Sequence, residues 1–412
     1  MTSGPDHTSL LRRHPGFAWL LGYRLGALLS YQIVAVAVGW HLYQLTGSTF
    51  ALGLVGLAEV LPYFLVAPFA GYLVDILPRR RLGMAACAGL ALTALVLVAL
   101  VLTHLSDAAT WPIYAAIAMT GMVRAFLSPV YNALFAKVLP RADFSRGAGI
   151  GSVAFQAGLV LGPALGGGLI ALGGTLTAYA VAAACALAAL LAVWRLKVEE
   201  PAAASERPPI FASIAEGARF VWQTPVMLGA MALDMFSVLL GGVIALLPAV
   251  IADILAAGPE ALGLLRATPA IGSVLVGLWL ARRPLRRHAG VILLLAVAGF
   301  GLSILGFALS RSLWISAACL FCYGAFDGVS VVLRQTILQL ATPDAMRGRV
   351  SSINGLFISS SNELGAFYAG SMARLLGLVP AMLLGGTAVM AVAGITAWRN
   401  PSLRKLDLRQ LQ

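Results

Sequence analysis

The chain has 412 residues, of which 60% are hydrophobic and only 11% charged, with a mean hydropathy of +0.91. A soluble domain carries roughly 45–50% apolar and about 25% charged residues, so a water-soluble fold of this length is excluded. The formal charge of +12 is not read as a nucleic-acid signal, because basic residues of a membrane protein collect on one side of the bilayer.

An apolar run of about 20 residues spans the hydrocarbon core as a helix. Twelve such runs are predicted: 16–45, 49–74, 83–104, 111–138, 147–171, 175–196, 225–252, 260–281, 289–309, 313–340, 349–374 and 378–398. The first follows Arg12, Arg13 and His14, exceeds a signal-peptide core and has no small-residue cleavage site, so it is kept as helix one. With the N-terminus inside, the inward-facing segments hold 22 of the 28 Lys and Arg. Only Arg311 and Arg374 lie at outer ends, and Arg24, Arg124, Arg266 and Arg334 lie within helices. The split predicts both termini on the cytoplasmic side. Trp19, Trp40, Trp111, Trp194, Trp222, Trp279, Trp314 and Trp398 all fall near predicted helix ends, where an indole sits at the interface.

One long polar stretch, Lys197 to Gln223, includes Glu199, Glu200 and Pro201 and separates six helices from six. It reads as a cytoplasmic linker, which divides the chain into an N-terminal bundle (1–196), a linker (197–224) and a C-terminal bundle (225–412). The halves echo one another. Ala51-Leu52-Gly53-Leu54 recurs as Ala261-Leu262-Gly263-Leu264 at an offset of 210, which also carries Arg24 onto Asp234. Gly121 to Pro140 overlays Gly324 to Pro343 at an offset of 203. The expected fold is an all-α membrane protein of twelve helices in two pseudo-symmetric six-helix bundles.

The loop after helix two reads Gly71-Tyr-Leu-Val-Asp75-Ile-Leu-Pro78-Arg79-Arg80. It resembles the major facilitator signature G-x-x-x-D-[RK]-x-G-x-[RK]-[RK] at Gly71, Asp75, Arg79 and Arg80, with Ile76 for the usual basic residue and Pro78 for the usual glycine. Helix five contains Gly158-Leu-Val-Leu-Gly162-Pro163-Ala-Leu-Gly166-Gly167, similar to the exporters' G-x-x-x-G-P-x-x-G-G. Residues 342–350 and 361–365 resemble the enterobactin-exporter-like, transmembrane secretion effector subfamily. The resemblance implies an inner gate at Gly71, Asp75, Arg79 and Arg80. It also implies that helices one, four, seven and ten line a central cavity, flanked by two, five, eight and eleven. The helix-five glycines share one face, where a neighbouring backbone can approach, and Pro163 is expected to kink the helix.

Charges at depth are costly in hydrocarbon unless paired or facing a cavity. They are Arg24, Glu59, Arg124, Asp234, Arg266, Asp327, Arg334 and Glu363, and the helices expected to face lipid contain none. Glu59, Arg124, Asp327 and Glu363 come near the midplane by counting residues, with Arg24 and Asp234 in the inner part. Glu59 with Arg124, and Glu363 or Asp327 with Arg334, are plausible partners, but sequence does not fix which meets which, and Arg124 and Arg334 are both open to the three carboxylates. Glu59, Asp327 and Glu363 are the candidate proton-coupling carboxylates, with Asp234 and Arg24 next. Tyr31, Phe126, Tyr131, Phe236 and Phe326, along with Tyr23 and Tyr63, are candidates to stack on an aromatic substrate. Helical packing is the competing role for each.

Cys87, Cys185, Cys319 and Cys322 lie in apolar runs and read as packing residues, and Cys319-x-x-Cys322 has no partner cluster to make a metal site. His41 reads as interfacial. No phosphate-binding G-x-x-x-x-G-K-[ST] occurs, so ATP is not expected to drive the protein, and no cofactor is implied. The expectation is a monomeric, multi-pass inner-membrane exporter, not an enzyme, moving a siderophore or drug-like amphiphile outward in exchange for protons. A lysophospholipid flippase and a non-transporting receptor or scaffold are the alternatives. Its partners would be a small molecule, protons and the bilayer, with no nucleic acid.

Overall fold

Turn chemistry sets the helix ends. Pro15 opens α1 (Pro15–Thr46), where its missing N–H leaves nothing unsatisfied. Gly47 closes it in the left-handed region at φ 57°, and the Ser48 hydroxyl accepts from the Ala51 N–H to cap α2 (Thr49–Ile76). The computed structural model describes residues 10–198, 210–282, 287–343 and 346–408, and shows no strand among them. After α2 come α3 (Arg79–Leu102) and α4 (Trp111–Val138). Phe144–Arg195 follows as one helical stretch broken only at Gly173 and Gly174, so that α5 covers 144–172 and α6 covers 175–195. Gly174 stands at φ 72°, a conformation that L side chains avoid, which is why the corner falls on a glycine. The second half holds α7 (Pro225–Leu240), α8 (Pro259–Arg282), α9 (Ala289–Leu309), α10 (Leu313–Ala341), α11 (Arg347–Leu376) and α12 (Leu378–Arg399).

Among the described residues ten segments are long and apolar enough to cross a membrane. One of them contains both α5 and α6, and α11, made more polar by Ser351, Asn354, Asn362 and Glu363, completes the twelve. An even number of crossings puts both termini at one end of the bundle, here called the terminal end; the opposite one is the far end.

Four local features differ from expectation. The seventh run is not one helix: α7 stops at Leu240, and Gly241 to Ile254 continue as short turns of helix, the last of them a π-turn. Gly242 lies against the Gly365 backbone of α11, and Pro248 has no N–H to offer the ladder. A uniformly apolar run conceals both effects. Within the linker, 199–209 lies outside the described residues, but Ile210–Gln223 is helical. Its Val221 packs on Met227, Leu338 and Ile353, and its Glu216 meets Arg349 of α11 at 2.6 Å. Trp40 is a core residue, 6% exposed, although the other Trp are exposed at or near helix ends. Helical dihedrals run through Pro163, and the break in that stretch falls at Gly173 and Gly174 instead.

Within the N-terminal half α1 packs on α5 and α6, α2 on α4, and α3 on α6; in the C-terminal half α8 packs on α10, and α9 on α10 and α12. Leu92 and Leu95 of α3, Leu187 and Leu191 of α6, Leu295 and Leu302 of α9, and Leu384 and Ile395 of α12 are exposed, which gives these four helices an apolar outer surface fit for lipid. The halves meet along two seams, α2 against α11 and α5 against α8. At the first, a Cβ on Gly370 would stand 2.7 Å from the Cα of Gly53; at the second, a Cβ on Gly263 would stand 3.0 Å from the Cα of Gly167. Gly53 and Gly263 are one position of the 210-residue repeat, and Gly167 and Gly370 are one position at the 203-residue offset. The seams are therefore the same contact made twice. Both lie toward the far end, whereas around Gly71, Gly149, Gly277 and Gly355, nearer the terminal end, a Cβ would meet nothing within 4 Å.

Candidate functional site

Glycine positions the site before any charge does. Gly121 of α4 lies against the Glu59 backbone of α2, and Gly56 of α2 lies against the Glu363 backbone of α11. Three helices are thus drawn close enough for their charges to converge. Arg124 Nη1 donates to Glu363 Oε1 at 2.8 Å and to the Tyr31 hydroxyl at 2.5 Å, and stands 2.6 Å from Glu59 Oε1. The Tyr31 and Tyr63 rings lie 5.3 and 5.1 Å from its guanidinium carbon, so cation–π contacts flank it. The Tyr63 hydroxyl in turn accepts from Ser359 of α11 at 3.2 Å. Glu59 is 5% exposed. Arg124 and Glu59 belong to one half and Glu363 to the other, so this cluster is an ionic clasp across the seam.

On the far side of the clasp is a cavity of about 100 Å³, lined by Tyr31, Glu59, Thr120, Pro248, Arg266 and Glu363 among others. At about 30 Å³ of liquid volume per water it admits a few waters and no large solute. Arg266 of α8 reaches it, donating to the Ala35 carbonyl of α1 at 3.1 Å.

The C-terminal half contains a second ion pair. Arg334 of α10, 2% exposed, bonds Asp234 of α7, and Asp327 lines a cavity of about 10 Å³ with Asp234, Ser237 and Ser330. Arg334 is thus taken by Asp234, and Glu363 by Arg124. Of the pairings that sequence names, the structure holds Glu59 with Arg124 and neither Glu363 nor Asp327 bonded to Arg334. Arg24 is likewise apart from Asp234: its guanidinium carbon stacks 4.0 Å over the Tyr131 ring and 4.9 Å from the Phe155 ring.

The helix-five motif acts through packing. Leu28, Gln32 and Val36 of α1 fill the spaces over Gly158, Gly162 and Gly166, and Gly167 makes the α8 seam; Pro163 is buried in the same contact region. At the terminal end Arg79 and Arg80 open α3, and Arg80 donates to the Val193 carbonyl at 3.3 Å and to the Trp194 carbonyl, capping α6. The Asp75 side chain lies outside the described residues, and Gly71 faces open space. Among the five candidate aromatics only Tyr31 lines the larger cavity. Phe126 packs in the N-terminal core, Phe326 lies over Gly299 of α9, and Phe236 is exposed. His41 is buried and shares a 3.2 Å hydrogen bond with the Tyr179 hydroxyl, so it joins α1 to α6 rather than sitting at an interface. Sequence reasoning missed the far-end bond from the Tyr43 hydroxyl to Asp253. The signal was present, since the two residues are 210 apart, the repeat offset itself.

A family profile described as transmembrane secretion effector matches residues 12–411. The multidrug efflux pump Tap of Mycolicibacterium fortuitum is 30% identical over 394 residues, 91% of this chain and 93% of the pump. The enterobactin exporter EntS of Escherichia coli is 27% identical over 398 residues, 93% of this chain and 91% of the exporter. Among solved structures, a D-xylose-proton symporter superposes with a TM-score of 0.74 at 13% identity, over 96% of this chain and all of that one, a likeness of fold.

Proposed function

The chain belongs to the transmembrane secretion effector family of major facilitator transporters, and on that footing we propose that it is a proton-coupled antiporter that exports a siderophore or drug-like amphiphile. It is a multi-pass membrane transporter of small molecules, as its efflux-pump and exporter relatives are. The proposal places it in the inner membrane with both termini cytoplasmic, as the one-sided distribution of basic residues supports. The end left open by the seams then faces the cytoplasm, ready to load substrate.

The observation that carries the reading is the Arg124 clasp. One guanidinium bonds a carboxylate of its own half and one of the other half, at the level where the halves separate when access alternates. Opening the far end withdraws Glu363 from Arg124 and leaves Glu59 as its partner. A carboxylate that loses its cation in a low-dielectric site takes up a proton, and gives it back when the cation returns. Closing the far end therefore releases the proton, and opening it admits one, which is the stroke an exporter needs. Asp75, with Arg79 and Arg80, would latch the cytoplasmic side in the opposite state.

The test is transport in proteoliposomes under an imposed pH gradient, with catecholate siderophores and cationic dyes as substrates. Glu59→Gln or Glu363→Gln should abolish gradient-driven export while exchange without a gradient stays measurable. Full gradient-driven export in both variants would refute the assignment and move attention to Asp327.

A further inference from the structure

Among the described residues Arg24, like Arg266, is an intramembrane cation with no carboxylate bonded to it, and unlike Arg266 it does not border the cavity of the clasp. Arg124 has Glu59 and Glu363, Arg334 has Asp234, and Arg266 reaches the cavity that both glutamates line. Among the described residues no acidic group bonds Arg24. Its neighbours are the faces of Tyr131 and Phe155. The repeat makes the difference pointed. Offsets of 210 and 203 carry Arg24 onto Asp234 and Tyr131 onto Arg334, and the two positions touch in both halves. In the C-terminal half the contact neutralises itself; in the N-terminal half it is a cation on an aromatic ring.

Three further facts define the surroundings. The Tyr131 hydroxyl is buried with no hydrogen-bond partner among the described residues. A Cβ on Gly151 would touch that hydroxyl and stand 3.7 Å from Arg24 Nη1, so donor and cation share one corner kept free of side chain. Phe155 is 38% exposed, which leaves apolar ring surface beside the charge. Arg24 lies seven residues before Tyr31 on α1, two turns or about 10 Å toward the terminal end. It is on the side of the clasp where the seams no longer hold the halves together.

We propose that Arg24 and the Tyr131 hydroxyl form a substrate subsite for the anionic group, a carboxylate or phenolate, of an aromatic molecule whose ring lies along Phe155. The assignment rests on the export reading for its place in a transport cycle and narrows the substrate class to aromatic anions. A guanidinium held over a ring keeps its donors free at the edge, where an oxyanion accepts them, and the hydroxyl adds a neutral donor. A cationic amphiphile would meet repulsion at the same place.

Two xanthene dyes of similar frame and opposite charge separate these outcomes: fluorescein, an anion, and tetramethylrhodamine methyl ester, a cation. Their binding to purified protein in nanodiscs is read by fluorescence anisotropy near neutral pH with no proton gradient. Arg24→Gln should weaken fluorescein binding ~10-fold or more, as loss of a charge-assisted bond does. Arg24→Lys should restore most of it, and the cationic dye should bind the Gln variant no more weakly than it binds the unaltered protein. Tyr131→Phe keeps the ring stack and the fold, and should cost fluorescein ~5-fold, the scale of one neutral hydrogen bond. The proposal is overturned if the unaltered protein does not bind fluorescein, if Arg24→Gln and Tyr131→Phe leave fluorescein binding unchanged, or if both dyes are lost together. Because the titration needs no gradient, failure of coupling leaves it standing, and failure of anion binding leaves coupling standing.

Discussion

Arg24 and Tyr131 touch in the N-terminal half at the positions that Asp234 and Arg334 occupy in the C-terminal half. The same correspondence runs through the packing around them. Gly162 receives Gln32, and Gly365 receives Gly242, at matching positions; Gly121 lies on the Glu59 backbone, and Gly324 on that of Pro269. Arg124 even corresponds to Asp327, a reversal of charge at one register. The difference teaches that the repeat preserves which positions meet and leaves their chemistry free. The C-terminal half has closed its pair into a buried salt bridge, whereas the N-terminal half directs Arg124 across the seam and leaves Arg24 to face rings.

On that contrast, breaking the closed pair should cost the most. Arg334→Leu strands Asp234 without its partner and should lower stability by ~3–5 kcal/mol, the usual penalty for an orphaned buried charge. Thermal unfolding in detergent measures it, and the double variant Asp234→Leu with Arg334→Leu should recover most of the loss. Arg124→Gln should cost less, ~2 kcal/mol, because its cluster borders a cavity that admits water. Gradient-driven export should nonetheless fall to background, so the melt and the flux assay together separate a structural pair from a working one.

The seams offer a finer comparison. Gly53→Val and Gly263→Val each put a branched side chain where backbones touch, and both should open the far end. Labelling of Thr120→Cys, a cavity-lining position, by an impermeant thiol reagent in a background without the native cysteines should rise by a similar factor in each. A several-fold disparity would break the equivalence of the seams. The smallest effect is expected from Tyr43→Phe, which removes the bond to Asp253 and should cost about 1 kcal/mol, read from the same thermal unfolding.

Hydropathy exposed most of the fold, because a helix in lipid must satisfy its own backbone and so announces its length. The loops, the repeat and the residues of the charged cluster were legible for the same reason: nothing else explains Glu59 or Arg124 in an apolar run. Which charges meet was legible only for Glu59 and Arg124. Glu363 could reach either Arg124 or Arg334 by depth alone, and the choice is made by Gly56, which lets α11 approach α2 at that level. Arg80 is a gate residue by its motif, and its added reach to the α6 carbonyls was not legible because it depends on where α3 crosses α6. The interruption after Leu240 stayed hidden because Gly241, Gly242 and Pro248 leave the hydropathy of their run high.

The paired glycines have a further consequence. In an isologous dimer, patch i of one subunit meets patch j of the other, and j meets i. Gly53 on Gly370 and Gly263 on Gly167 satisfy that relation inside one chain, with the six-helix half as the subunit. A strictly symmetric pair of N-terminal halves would keep both seams but carry Arg24 and Arg124 twice. Its four cations would then face only two Glu59, and no Glu363 would complete the clasp. Fusion of the halves into one polypeptide is what allows the interface to stay two-fold in shape while becoming asymmetric in charge.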